Sequence, residues 1–409
     1  MISEVKGGLT AVPGYRAAGV RSEIKEEGPD LLLLASERGP VPAAGLFTSN
    51  RVQAAPVQVS KKHLEDQRLG AIVANSGCAN AFTGREGVRK ARQMAEFAAD
   101  SLDLKPGDVG VASTGLIGSQ LPIDKIEEGI KKAKEELSNS WEAGTESARA
   151  LMTTDTVVKE IAITVELEDD SKVTIGGAAK GAGMIHPDLH ATMLVILVTD
   201  AYSTSAGLRT TLQTAADQSF NMTTVDRDTS TNDTVFALAN GLAENERITK
   251  KSPSENFQKG LNYVTRELAK MIARDGEGAT HLVEVRVEGA KDDEDASKAA
   301  RAVAGSNLLK AAIFGKDPNW GRIAAALGYS GATFSPSRIS FSLLGGGSEA
   351  PLVLKGEPLP DDAIDAGEEL LEEEEIQIYI DLGEGEGSAT AWGCDLSKDY
   401  VEINSRYRV

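Results

Sequence analysis

The chain has 409 residues, 41% of them hydrophobic and 5% aromatic, and a formal net charge of −19. That length exceeds one small core and predicts two domains, or a large layered domain with a smaller one. The acidity excludes a binder of phosphate backbones and a protein that docks on an anionic membrane, and no stretch approaches the roughly 18 apolar residues of a membrane span. Residues 30–35 (DLLLLA), 43–48 (AAGLFT) and 71–74 (AIVA) read as short buried strands. Residues 85–102 carry apolar side chains at helical spacing. A second helix is expected from Asp124, with Asp124 and Glu127 as a capping box. Residues 160–166 alternate like a half-buried strand, and 172–175 can pair with them. Helices are expected over 206–221 and 254–274.

Beyond a soft boundary near residue 280, an alternating strand (281–287) and a helix (296–313) are expected. A helix near 361–374 follows, then strands in IQIYIDL, ATAWGCDL and DYVEINSRY. The acidic run 368–375 reads as the solvated end of a helix. The two cysteines, Cys78 and Cys394, make no disulfide framework and fit a reducing cytoplasm. The N-terminal residues lack the apolar core of a signal peptide and the Arg-rich character of a transit peptide.

The motifs exclude more than they assign. The segment GGAAKGAGM matches neither a phosphate-cradling loop nor a dinucleotide fingerprint, so nucleotide binding is a poor reading. Lys180 within it is either a surface lysine or a fixed cation for carboxylates. His186 and His190 are four apart, but Pro187 sits between them and the chain has four histidines in all. They read as loop histidines, and no metal site is expected. The turn VDRDTSTND gathers Asp226, Asp228 and Asp233 but lacks the Gly and Glu of a calcium loop. Asx turns explain its composition, and so does a polar turn that buttresses a site from behind. In ASTGLIG an apolar strand runs into Thr114-Gly115, an ordinary strand-to-loop turn or, beside a nucleophile, an oxyanion hole.

The residue that needs explaining is Thr192, which stands at the foot of the apolar run 193–198 behind a glycine-rich approach. A threonine hydroxyl is a weak nucleophile and requires a base, and no Ser-His-Asp arrangement offers one. Its own α-amine can serve if the chain is cut between Ala191 and Thr192, with Thr192 Oγ attacking the Ala191 carbonyl and water resolving the ester. On the local sequence alone, an ordinary buried threonine that begins a strand is the favoured reading.

Nine segments, in order over nearly the whole chain, resemble the ornithine acetyltransferase family: TSNRVQAAPV, NSGCANAFTG, STGLIG, MTTDT, KGAGMI…ATML, TVDRDTSTNDT, DGEGAT, DPNWGRIAAALG and YVEINSRY. The resemblance implies a layered αββα sandwich over residues 1–280 and a smaller α+β domain over 281–409. It implies self-cleavage at Ala191-Thr192 into an α chain (1–191) and a β chain (192–409) that remain together, with pairs assembling as α2β2. Thr192 would carry acetyl from N2-acetyl-ornithine to glutamate by ping-pong kinetics in the cytoplasm. Thr114 and Gly115 would form the oxyanion hole. Thr154, Lys180, Thr192, Glu277 and Asn404 would contact substrate, with Lys180 on the α-carboxylate and Glu277 on the cationic amine. No metal or cofactor is implied, although acetyl-CoA is a candidate second donor.

The chain departs from the family pattern in places. Eleven residues rather than ten separate Lys180 from Thr192, Val409 replaces a terminal hydroxyl residue, Arg227 stands for glycine and His281 for lysine. Two other readings compete: an amidase or aminopeptidase on the same scaffold, whose relatives use Ser and pass the acyl group to water, and an uncleaved paralogue that binds an amino acid without catalysis.

Overall fold

The structure is a computed structural model that describes residues 1–186 and 193–406. Two sheets face each other. The larger has seven strands in the order β1-β8-β9-β10-β11-β4-β5: β1 (Ile2–Val5), β4 (Val41–Phe47), β5 (Arg68–Leu69), β8 (Lys159–Glu166), β9 (Lys172–Lys180), β10 (Leu194–Thr199) and β11 (Thr234–Ala239). The smaller has four, in the order β2-β3-β6-β7: β2 (Tyr15–Val20), β3 (Leu31–Ser36), β6 (Ala71–Asn75) and β7 (Val109–Ser113). Helices α1 (Ala55–His63), α2 (Gly84–Leu102), α3 (Ile123–Glu136) and α4 (Trp141–Arg149) pack with the four-stranded sheet, and α5 (Ser205–Asp217) and α6 (Glu255–Arg274) with the seven-stranded one. This is the layered αββα sandwich.

The unbroken apolar runs follow from this layering, because a strand covered on both faces has no reason to alternate. In β3, Leu32 and Leu34 join the core between the sheets, while Leu31 and Leu33 face the helices α2 and α3. In β10, Leu194, Ile196 and Val198 point inward between the sheets, and Val195 and Leu197 meet α5 and α6. In α2 the buried residues Gly87, Ala91, Met94, Ala95, Ala98 and Ala99 make one helical stripe, and the helix ends on Asp103 in the left-handed region. Strands β8 and β9 pair antiparallel, as their sequences suggest.

A six-stranded sheet holds the remaining strands, in the order β15-β14-β13-β16-β12-β17: β12 (Leu282–Ala290), β13 (Ser340–Gly345), β14 (Ser348–Leu354), β15 (Glu357–Pro358), β16 (Glu375–Asp381) and β17 (Gly387–Cys394). Helices α7 (Asp293–Ala304), α8 (Asn307–Phe314), α9 (Trp320–Gly328), α10 (Asp361–Leu370) and α11 (Lys398–Arg406) accompany it. Residue 280 falls between α6 and this sheet, and one apolar cluster runs from α5 and α6 into β12, β16 and α7. Among the described residues no helix is long and apolar enough to cross a membrane.

Three local expectations are corrected. The helix expected from Asp124 starts one residue earlier behind Pro122, with no side-chain cap, and Glu127 pairs with Lys131 at 2.6 Å instead. Proline presets the φ of a helix start and leaves no N–H for a capping box to bind. The single helix over 296–313 is two, because Gly305 closes α7 and the Ser306 hydroxyl accepts the Leu309 amide to open α8. The strand expected in the terminal DYVEINSRY is a helix over Lys398–Arg406. The Ser397 hydroxyl takes the amides of Asp399 and Tyr400, and Val401, which made the sequence look alternating, is exposed.

Candidate active site

A cavity of about 140 Å³ opens where β7, β9, β10 and β11 end, lined among others by Thr114, Gly115, Thr154, Lys180, Glu277 and Asn404. It is far smaller than the roughly 300–1,000 Å³ of pockets for drug-sized ligands and suits one small metabolite. Ala191, Thr192 and Val409 lie outside the described residues. Met193, which follows Thr192, lines the cavity.

One wall is the turn after β7. Gly115 has φ +125, and a Cβ there would lie 2.3 Å from the Gly77 carbonyl carbon, so only glycine allows the turn 113–118 to lie on residues 75–81. The two segments are laced by Thr114 N–H to Asn75 O (2.9 Å), Ala79 N–H to Leu116 O (2.9 Å) and Gly118 N–H to Ala81 O (2.9 Å). With the Thr114 amide committed to Asn75, the donors this turn can offer the cavity are the Thr114 hydroxyl and the Gly115 N–H. Such a pair can stabilise charge developing on a carbonyl oxygen.

The opposite wall carries the charges. Lys180 ends β9, opposite Leu194 in the ladder, and is only 8% exposed; its Nζ lies 3.4 Å from Thr114 Oγ1. Next to it Asp155 accepts the Gly181 amide (2.7 Å) and Lys159 Nζ (2.7 Å). Burial pushes the Asp155 carboxyl up, but the Lys180 and Lys159 cations and the hydrogen bonds from Lys159 and the Thr153 amide outweigh it and bring it to about 2. Lys159 also bonds Asp275 (2.5 Å), and all three side chains are buried.

The far end explains the glycine-rich approach. The Glu277 carboxylate passes so close to Gly183 that a Cβ there would sit 2.4 Å from it. Glu277 accepts from Asn404 Nδ2 (2.7 Å), and its own amide donates to Ala182 O (2.9 Å). Asp226 accepts the amides of Met184 (2.6 Å) and Ile185 (2.9 Å) and the Tyr400 hydroxyl (3.3 Å). Burial raises the Asp226 carboxyl, against those hydrogen bonds, and burial with Asp226 beside it pushes the Tyr400 phenol well up. The turn 225–233 thus buttresses the site: Asn232 Nδ2 ties it to Ala79 O (2.6 Å) and Ser113 O (2.8 Å).

A family model for the ArgJ family matches residues 16–409. The chain belongs to the ArgJ family. It is 52% identical over 406 residues, 98% of each chain, to the arginine biosynthesis bifunctional protein ArgJ of Symbiobacterium thermophilum. It is 48% identical over 406 residues, again 98% of each, to the glutamate N-acetyltransferase of Methanothermobacter thermautotrophicus. Among solved structures it matches the ornithine acetyltransferase of Mycobacterium tuberculosis complexed with ornithine, at 40% identity and a TM-score of 0.43, over 46% of this chain and 99% of that one.

Of the residues singled out in this ArgJ family chain, Thr114, Gly115, Thr154, Lys180, Glu277 and Asn404 share the cavity. His186 turns its Nδ1 to Thr224 Oγ1 (3.0 Å), and His190 lies outside the described residues. Among the described residues no three His, Cys, Asp or Glu side chains gather as a metal site. Sequence reasoning missed the Lys159 cluster; it offered the turn 225–233 as a buttress without naming Ser230 or Asn232, which line the cavity. A lysine in phase with the buried positions Ile161, Ile163 and Val165 of an alternating strand was the available signal for the cluster.

Proposed function

We propose that the chain cuts itself between Ala191 and Thr192, then moves acetyl from N2-acetyl-ornithine to glutamate through an acetyl ester on Thr192. The observation that carries this is the cavity, where an oxyanion-type turn, a buried cation and a carboxylate–amide pair meet at the foot of the strand that Thr192 precedes. In the acylation step Thr192 Oγ adds to the acetyl carbonyl while the α-amine takes its proton. The Thr114 hydroxyl and Gly115 N–H stabilise the oxyanion, and ornithine leaves with the proton returned to its α-nitrogen. The glutamate α-amine then adds to the ester carbonyl, the acetyl C–Oγ bond breaks, and the proton lost by the attacking nitrogen returns through the α-amine to Thr192 Oγ.

Lys180 holds the α-carboxylate that both amino acids share. Glu277 receives the ornithine side-chain ammonium. Asn404, with both a donor and an acceptor, serves either side chain. The same ester forms from a thioester, and the bifunctional relatives support acetyl-CoA as a second donor.

The fragments remain together in this reading because β10 and β11 sit between β9 and β4 in one sheet, hydrogen-bonded on both sides across the cut. We further propose that pairs assemble as α2β2 in the cytoplasm. Both cysteines are buried and free, which suits a reducing compartment.

The test is intact mass under denaturing conditions for wild type and Thr192→Ala. Wild type should give two fragments summing to the chain plus one water, the second beginning at Thr192, and should transfer acetyl from N2-acetyl-ornithine to glutamate. Thr192→Ala should remain whole and inactive. A whole wild-type chain with full activity would refute the reading.

A further inference from the structure

The cavity holds one acidic side chain that the acetyl-transfer chemistry leaves unused. Asp233 is 2% exposed and lines the cavity with Thr114, Lys180 and Met193. Its Oδ2 is buried and meets no hydrogen-bond partner among the described residues. Leaving a buried carboxylate oxygen unsatisfied is costly, so such a group calls for an explanation. The backbone around it is fixed: Asp233 O accepts the Thr48 amide (3.0 Å), and the Thr234 amide donates to Met193 O (2.8 Å). In the parallel ladder Thr234 lies opposite Leu194. Asp233 therefore stands alongside Met193, the residue bonded to Thr192.

The reading above asks this cavity for two reactions, and they differ in one respect. Acetyl transfer has the free α-amine of Thr192 as its base. Self-cleavage precedes that amine, because in the uncut chain the nitrogen is an amide. Another group must take the Thr192 Oγ proton.

The titratable side chains lining the cavity, among the described residues, are Lys180, Asp233 and Glu277. Lys180 is the cation between Asp155 and Thr114 and has no lone pair to offer in that form. Glu277 is engaged by Asn404. Asp233 remains.

We infer that Asp233 is the proton acceptor for the self-cleavage at Ala191-Thr192. This rests on the proposed function of Thr192. The Asp233 carboxylate takes the Oγ proton as Oγ adds to the Ala191 carbonyl carbon. The tetrahedral intermediate expels the Thr192 nitrogen, which recovers that proton from Asp233, leaving an ester and a free amine. Water then adds to the ester carbonyl, the C–Oγ bond breaks, and the products are the Ala191 carboxylate and the Thr192 hydroxyl beside its ammonium.

The electrostatics suit a group that accepts and returns a proton. Burial holds the Asp233 carboxyl well above the ordinary carboxylate range, against the Ser230 and Thr48 hydroxyls and the Lys180 charge. The charged groups around it are Lys180 from β9 and, across the cavity, Glu277.

The experiment follows cleavage of freshly synthesised full-length chain by intact mass across pH, for wild type, Asp233→Asn, Asp233→Glu and Thr192→Ala. Asp233→Asn should cut about 10²- to 10⁴-fold more slowly, the usual contribution of a positioned base. Its rate should climb with pH as hydroxide substitutes, where the wild-type rate levels off once Asp233 is ionised. Binding of ornithine by the uncut Asp233→Asn chain, measured by calorimetry, reports an intact cavity. Asp233→Glu should cut faster than Asp233→Asn, with a shifted pH midpoint. Asp233→Asn that cuts at the wild-type rate overturns the inference and leaves the role of Thr192 standing. Cleavage of Thr192→Ala at the same bond overturns the role of Thr192 itself. If Asp233→Asn does not fold, Asp233→Glu decides alone: a shifted midpoint supports the inference, and an unshifted one ends it.

Discussion

Replacing Lys159 with methionine strands the buried Asp275 carboxylate and leaves Asp155 with Lys180 as its remaining cation. Lys159 Nζ lies 2.7 Å from Asp155 and 2.5 Å from Asp275, and the side-chain exposures are 0%, 0% and 5%. Breaking a buried pair from one side costs about 3–5 kcal/mol, because the remaining charge is left uncompensated. The Gly181 and Thr153 amides still bond Asp155, and the Thr156 amide and hydroxyl still bond Asp275. These keep the expected loss near the lower end of that range.

Urea unfolding of Lys159→Met against wild type at pH 7 measures it. In wild type the Asp155 carboxyl, at about 2, lies below its unfolded value near 3.9. Its contribution is therefore present above the unfolded value and lost as pH falls through about 2. In the variant the Asp155 carboxyl loses the Lys159 cation and shifts upward, so the deficit should shrink as pH falls through that raised value. Adding Asp155→Asn and Asp275→Asn should recover most of the loss. Because Asp155 also fixes the Gly181 amide next to Lys180, the variant should raise KM for the amino-acid substrates. A loss below about 1 kcal/mol at pH 7, or a deficit that grows on acidification, would show that the cluster is not a buried charge network.

Thr114→Ala should lower kcat about 10²- to 10³-fold with little change in KM, since an oxyanion donor acts mainly in the transition state; a variant that changes only KM would place Thr114 on the ground-state substrate instead. His281 should make thermal stability depend on pH. The Asp395 hydrogen bond raises the imidazole above its ordinary value, outweighing burial, and the Leu371 carbonyl adds to it. That stabilisation is present below the unfolded value of about 6.5 and lost as pH rises through the raised folded value. Melting temperatures of wild type and His281→Gln across pH 5.5 to 8.5 should converge toward the alkaline end, and a gap that stays constant would exclude the charged pair.

Much of the architecture was legible in particular residues. The four leucines of β3 and the run of β10 announced strands covered on both faces, and the stripe from Gly87 to Ala99 announced α2. The errors fell where local rules compete. Alternation in DYVEINSRY resembled a strand, but alternation describes one chain segment and not what lies against it, and the Ser397 cap started a helix there. Helical spacing across Gly305-Ser306 did not reveal that a second helix begins at the serine.

The layered αββα class and the residues of an acyl-transfer site were expected from a family resemblance; by itself the sequence determined the period and length of most elements. Those properties are local, since they follow from backbone geometry and from hydrophobic burial along one segment. Only the tertiary structure decided which residues share a cavity. Thr114, Lys180, Asp233, Glu277 and Asn404 come from five segments, and they meet because the ends of β7, β9 and β11, the turn after α6 and the last helix converge. The same holds for Lys159, whose burial is tolerable only because Asp275, 116 residues away, arrives beside it. A charge accepts loss of water only for a partner in place, and which partner arrives is set by how the layers pack.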